Sequence, residues 1–334
     1  DELSARFEQE LPLVLAASDY VAEQLRRDPE LAWRLVAGER LWRPLAEGEL
    51  RELLQVALTE VANEDQLAQA LRRFRQWQQV RIIWRDVLAL APLQETTRDL
   101  SDMADACIDE AYQWLYGQCC ASLGQPLSRD GAPQHMVVLG MGKLGGGELN
   151  VSSDIDLIFV YPEDGDTQAG PGQKSLSNHE FFVRLGKKLI GALAEITEDG
   201  FTFRVDMALR PNGNSGPLVA SFNMVEEYLV RQGREWERYA WTKARALTGT
   251  EEDIAALEAI SRPFIFRRYL DFGSIDALRS MHGQIRAEVK RQEALHPDRS
   301  NNVKLGRGGI REIEFYAQTQ QLILAGRDPA LHAT

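Results

Sequence analysis

The chain has 334 residues, 44% of them apolar, and a formal net charge of −12 at pH 7. That length exceeds one typical core and implies two or three folded units, while no run approaches the ~20 apolar residues of a membrane span. The acidic balance argues against a nucleic-acid binder, because that affinity rests on lysine and arginine neutralising phosphates. The opening residues, DELSARFEQE, lack the basic-then-apolar layout of a secretory signal, and without an initiating methionine they fit a fragment of a longer chain. Cys107, Cys119 and Cys120 have no metal-ligand spacing and are expected to be free thiols in a reducing cytosol. The histidines, at 135, 179, 282, 296 and 332, form no HExxH or zinc-finger pattern.

Residues 1–128 are predicted to form a helical region. Apolar residues recur at three- and four-residue intervals through Leu11–Leu25, Glu49–Val61, Gln66–Leu90 and Met103–Leu123. Pro29, Pro44 and Pro92 punctuate these runs, and Ser18-Asp19 and Glu64-Asp65 have the chemistry of helix starts. The stretch LRRFRQWQQVRIIWRDVLAL sets Arg72, Arg73, Arg75, Arg81 and Arg85 among aromatic and aliphatic anchors. One reading is a basic strip for nucleic acid. The ordinary one is amphipathic packing, with arginine stems covering the edge of a core.

A core segment, 129–222, follows the polar connector GQPLSRDGAPQ. Its centre is Val137–Tyr161, VVLGMGKLGGGELNVSSDIDLIFVY, in which two strand-like apolar runs flank five glycines and the sequence Ser152-Ser153-Asp154-Ile155-Asp156. Side chains two apart on a strand share a face, so Asp154 and Asp156 should project together. Paired carboxylates repel unless a cation neutralises them, and hard oxygen ligands of this kind suit magnesium beside a substrate phosphate. A tight glycine turn with solvated aspartates is the plain alternative.

Three phosphate-binding patterns compete for this stretch. The P-loop fails, because Leu144 stands where Ser or Thr should ligate magnesium and Val137 stands where the first glycine belongs. Gly140, Gly142 and Gly145 match the dinucleotide fingerprint, with Glu163 downstream. Only about ten residues separate Gly145 from the next strand, however, which is too few for a crossover helix, and consecutive glycines suit a helix poorly. The third pattern is that of the DNA polymerase β-like nucleotidyltransferases, an apolar-Gly-Gly element, a strand with Asp-x-Asp and a third acid on a later strand. Leu144-Gly145-Gly146, Asp154-Ile155-Asp156-Leu157 and Val205-Asp206-Met207 resemble it part for part.

Further along, Glu163–Asn178 is expected to be a loop that reaches over a site or forms a mobile edge. His179–Ile196 should be a helix against the sheet, and the alternation of Phe201–Leu209 predicts the strand that brings Asp206 to the pair. Arg210 then lies at a strand end, placed to meet a phosphate. The region 223–334 is predicted helical apart from the basic turn Asn301–Gly309. Lys243, Arg245, Lys304, Arg307 and Arg311 are candidates to hold phosphate or nucleotide, with surface charge an equal alternative.

Five segments resemble the bifunctional glutamine synthetase adenylyltransferase/adenylyl-removing enzymes of bacterial nitrogen control. They are GMGKLGGGELNVSSDIDLIFVY, FRVDMALRPNGNSGPLV, QGREWERYAWTKARAL, RPFIFRRYLDFG and NVKLGRGGIREIEF. That family joins two homologous nucleotidyltransferase halves, and a single copy of the motif is present here. GGGELN-x-SSDIDL, the turn Ser215-Gly216-Pro217-Leu218 and QGREWERYA resemble the first, adenylyl-removing half.

The resemblance implies an α+β chain, mostly helical, with a small polymerase β-like sheet core between helical regions at 1–128 and 223–334. It implies a cytoplasmic enzyme that removes AMP from a tyrosine of glutamine synthetase, with phosphate as attacking group and ADP as product. Asp154, Asp156 and Asp206 would be catalytic and would hold two Mg²⁺ ions, with Mn²⁺ a possible substitute. Lys143, Gly145, Gly146, Ser153 and Arg210 would contact nucleotide or phosphate. Adenylylated glutamine synthetase would be the protein substrate and a PII-type signal protein the regulator, with no nucleic acid or membrane partner. Adenylyl transfer from ATP and a non-catalytic regulatory module are the alternatives.

Overall fold

The computed structural model describes residues 2–168, 170, 174–269, 272–296, 302–306 and 308–332. The fold is α+β. Its first region is helical throughout, with α1 (Glu2–Ala17), α2 (Asp19–Arg27), α3 (Glu30–Val36), α4 (Glu49–Leu58), α5 (Glu64–Val87) and α6 (Leu93–Leu123). The helix start expected at Ser18-Asp19 is present, with the Ser18 side chain capping α2 by accepting from the Val21 N–H at 3.3 Å. Asn63 caps α5 in the same way, accepting from the Gln66 N–H at 2.9 Å.

The arginines of α5 are not a surface strip, nor are they confined to the core edge. Arg81 and Arg85 are each about 1% exposed. Arg81 donates to Asp99 at 2.8 Å, and Arg85 donates to Glu95 at 2.6 and 2.9 Å. Both acids lie on α6, so buried ion pairs join the two longest helices of this region. Arg85 also donates to the Leu41 carbonyl at 2.9 Å, which ties in the segment before α4.

The strands begin with β1 (Gln125–Pro126) and β2 (Val137–Met141), and a one-turn helix, α7 (Gly142–Gly145), leads towards β3 (Ile155–Tyr161). Then come β4 (Thr167–Gln168), α8 (Asn178–Ala194), β5 (Val205–Asp206) and β6 (Val219–Ser221). Helices α9 (Phe222–Arg231) and α10 (Glu235–Trp241) precede β7 (Arg245–Ala246), followed by α11 (Glu251–Ile265), α12 (Phe272–Leu295) and α13 (Ile310–Leu324). The main sheet has the order β5-β3-β2-β7, with β6 also pairing β3. Strands β2 and β3 are antiparallel, whereas β5 and β6 run parallel to β3. The antiparallel β2–β3 pair removes the dinucleotide-binding reading, which requires a parallel crossover.

Alternation along the central strands divides the core. Val138, Ile155, Leu157, Phe159 and Tyr161 pack with α5, α6 and α8, while Val137, Leu139, Met141, Ile158 and Val160 pack with α9 and α11. The sheet thus lies between two helical layers, and its exposed chemistry is confined to strand ends. Two local expectations change. Of the strand expected over Phe201–Leu209, only Val205–Asp206 pairs, because the N–H groups of Thr202 and Phe203 donate instead to Leu193 O at the end of α8. The predicted all-helical region after residue 223 contains β7, which supplies an edge of the main sheet.

Candidate active site

Asp154, Asp156 and Asp206 come to the same end of the sheet. Asp154 stands just before β3 and Asp156 is its second residue. Parallel pairing sets Asp156 opposite Asp206 and Ile155 opposite Val205, so two acids far apart in sequence become strand neighbours. The Asp206 carboxylate is exposed and accepts from the Ala208 N–H at 2.7 Å, a turn that ends β5 and orients the side chain. Asp154 is also exposed and pairs with the Arg204 guanidinium, which donates as well to the Ser152 carbonyl at 2.8 Å.

Asp156 is the half-buried member of the set. Burial pushes its carboxyl up to about 6, the charges of Asp206 and Asp154 add to the rise, and Lys304 pulls it partly back. Lys304 is thus a cation that acts on this carboxylate from the turn before α13. A carboxyl raised in this way releases its proton later in the folded protein than in the unfolded chain. Between about pH 4 and 6 the folded state therefore binds the extra proton, and this contribution to stability falls as pH rises through that window. Asp156→Asn removes the contribution, so its melting temperature relative to the parent should climb from pH 4 to pH 7 without metal. Paired thermal melts across that range check the sign.

The glycine turn leaves β2 beside these acids, because antiparallel register puts Met141 opposite Asp156. Gly142 is required there for two reasons. Its φ is +55°, and a Cβ would stand 3.0 Å from the Asp156 carboxylate oxygen. Gly145 serves packing instead, since a Cβ there would lie 1.6 Å from the Lys243 carbonyl oxygen. The Gly146 N–H is already used, donating to Gly142 O at 3.0 Å. The Ser153 hydroxyl closes a turn by donating to Asn150 Oδ1 at 2.7 Å.

The basic candidates separate by their partners. Lys243 pairs with Glu148 at 2.7 Å and Glu314 at 3.3 Å. Arg245 grips Asp105 of α6 through two contacts, 2.7 and 3.1 Å, and donates to the carbonyls of Gly145 and Leu144. It therefore braces the glycine turn from behind. Arg210 folds back onto the Met207 carbonyl at 2.7 Å. Lys143 is half-buried and has no carboxylate partner among the described residues, and Arg311 is exposed. Arg307 lies outside the described residues.

The structure also places Gly142 and Arg204 beside the acids, where the sequence reading named Gly142 only in the dinucleotide fingerprint and gave Arg204 no role. A glycine directly after an apolar strand was the available signal for the first, and placement two residues before Asp206 was the signal for the second. The described residues of the loop Glu163–Asn178 start from the opposite end of β3, and residues 169 and 171–173 of that expectation lie outside the described residues. The loop follows Tyr161, which lies about 16 Å along β3 from Asp156 at ordinary strand rise. There β4 pairs with β1, and Glu163 accepts from the Arg129 N–H at 2.9 Å.

An all-oxygen donor set whose charges oppose one another suits a hard divalent cation, and Asp154, Asp156 and Asp206 fit that requirement. Among the described residues no three acidic, histidine or cysteine side chains are already gathered as a cation cage. Asp154 is paired instead with the Arg204 guanidinium. No described helix is long and apolar enough to cross a membrane.

These elements define an α+β protein with an acidic, glycine-flanked site at the end of a small mixed sheet. Residues 8–260 match the model of the glutamate-ammonia ligase adenylyltransferase family, and the chain belongs to that family. Residues 279–333 match a second model, described as GlnD PII-uridylyltransferase. The chain is 56% identical over 319 residues to a bifunctional glutamine synthetase adenylyltransferase/adenylyl-removing enzyme of Pseudomonas aeruginosa, covering 95% of this chain and 32% of that protein. A protein of the same name from Shewanella oneidensis is 49% identical over 331 residues, covering 98% of this chain and 34% of the relative. Another from Aromatoleum aromaticum is 56% identical over 269 residues, covering 80% and 28% respectively. The chain thus spans about a third of the length of the curated relatives it matches.

Proposed function

We propose that this chain is a nucleotidyltransferase with a polymerase β-like core that removes AMP from the adenylylated tyrosine of glutamine synthetase. The observation that carries the reading is the register of Asp156 against Asp206, with Asp154 adjacent and Gly142 closing on the Asp156 carboxylate. Family membership supports glutamine synthetase as the protein substrate. The motifs GGGELN-x-SSDIDL, Ser215-Gly216-Pro217-Leu218 and QGREWERYA favour the adenylyl-removing direction. The match of residues 279–333 supports regulation involving a PII-type protein, and three free thiols suit a cytoplasmic setting.

The bond to be broken joins a tyrosine oxygen to the α-phosphorus of AMP. Inorganic phosphate attacks that phosphorus, the tyrosine leaves, and the attacking group becomes the β-phosphoryl of ADP. Two anions must approach each other, so neutralisation is the main task of the site. Asp154, Asp156 and Asp206 would hold magnesium, with manganese a substitute, and the bound ions supply charge for the entering and leaving oxygens. The Ala208 N–H orients Asp206 before substrate arrives, and the lack of a side chain at Gly142 leaves room beside the Asp156 carboxylate. Lys304 adds positive charge on the same side. Phosphate is already anionic at neutral pH, so the attack needs no strong base from the protein.

Nucleotide analysis after mixing the chain with adenylylated glutamine synthetase and magnesium tests the reading. ADP should form, and only with phosphate present. AMP as sole product would mean that water attacks. Robust transfer of AMP from ATP to unmodified glutamine synthetase would reverse the direction.

A further inference from the structure

Arg204 touches the carboxylate set directly, while Arg245 and Arg210 are held by internal partners. Arg245 is committed to Asp105 and two carbonyls, and Arg210 is folded onto Met207. We propose that Arg204 is a phosphate ligand of this site, exchanging Asp154 for phosphate oxygens of nucleotide or inorganic phosphate once a divalent cation neutralises that carboxylate. The inference rests on the nucleotidyltransferase reading above and gives a role to a residue that lies within the segment FRVDMALRPNGNSGPLV but was not among the expected phosphate contacts.

Backbone geometry fixes where the guanidinium starts. The Arg204 carbonyl accepts from the Ile155 N–H at 2.9 Å, which locks it in register beside β3. Residues two apart on a strand share a face, so Arg204 and Asp206 project on the same side. The guanidinium lies 5.8 Å from the Phe201 ring centroid and donates to the Ser152 carbonyl at 2.8 Å. These contacts keep it at the site mouth when Asp154 turns away.

The partner can be exchanged at little cost. The side chains of Arg204 and Asp154 are 57% and 52% exposed, and ion pairs this open to solvent contribute little stability. A planar guanidinium presents a fork of donors that matches phosphate oxygens in pairs, which an ammonium does not. Cation and arginine thus compete for Asp154 in the free protein, and both face the phosphate in the loaded one. Magnesium binding and phosphate binding are coupled through this side chain.

Isothermal titration with ADP in the presence of magnesium, and with magnesium alone, tests the assignment without turnover. Arg204→Gln should weaken ADP binding about tenfold or more, and Arg204→Lys should restore it only in part. Magnesium alone should bind Arg204→Gln more tightly than the parent, because the competing counter-ion is gone. In the product assay the phosphate KM should rise more than kcat falls. ADP binding by Arg204→Gln equal to the parent's would overturn the proposal, as would magnesium binding that is unchanged or weaker. A parent protein that binds neither ADP nor inorganic phosphate would overturn it as well. If the parent binds ADP through Arg204 yet releases none from adenylylated glutamine synthetase, the proposed reaction fails while the ligand assignment stands.

Discussion

Asp156→Asn should lower turnover by about a thousandfold or more while leaving the protein folded. The substitution keeps the size and planarity of the side chain and removes the charge that a divalent cation requires. Asp156 is the central acid of the set, placed in register with Asp206 and beside Asp154, so no neighbour replaces it. Its carboxyl is also the one whose ionised form burial and neighbouring charges oppose. The variant should therefore melt at or above the parent temperature without metal near neutral pH, and magnesium should stabilise it less. Activity assays with parallel melts in and out of magnesium check both halves. Near-parental turnover at ordinary magnesium would remove Asp156 from the chemistry.

Arg85→Ala should cost about 3–5 kcal/mol of stability, because it leaves the Glu95 carboxylate buried without its partner. Glu95 is 7% exposed, and Arg85 supplies two of its hydrogen bonds as well as one to Leu41 O. Replacing both partners, as Arg85→Met with Glu95→Leu, should recover much of the loss, since two apolar groups leave no orphaned charge. Denaturant titrations of the three proteins measure the difference. A loss below about 1 kcal/mol for Arg85→Ala would show that this pair does not join α5 to α6 as described.

Much of the fold was legible because its long elements carry strong periodicity. The apolar runs Val137–Met141 and Leu157–Tyr161 read as buried strands and are buried strands. Helix α8 lies close to the bounds expected from Phe181, Leu185 and Leu189. The two-residue strand Arg245–Ala246 was not legible, since nothing in so short a stretch distinguishes it from helix or turn. At Phe201–Leu209 a true alternation misled, because Phe203 is buried by backbone bonds to Leu193 O rather than by a strand ladder.

The placement of the three candidate acids was more legible than that of the candidate cations. Asp154, Asp156 and Asp206 follow from strand periodicity plus one resemblance, and their neighbourhood is set by local backbone. Which arginine faces the site depends on what else each can reach. Asp105 lies on a distant helix and captures Arg245, Glu148 and Glu314 capture Lys243, and Arg204 is left beside Asp154. No spacing rule within the strand contains that information.

The central claim is that Asp154, Asp156 and Asp206 form a divalent-cation site for phosphoryl chemistry. Anomalous diffraction from crystals of the chain soaked with manganese tests it most directly. The account predicts manganese peaks bounded by these three carboxylates, with Arg204 moved off Asp154, and loss of those peaks in Asp156→Asn. Manganese bound only elsewhere, with the Asp154–Arg204 pair intact, would contradict it.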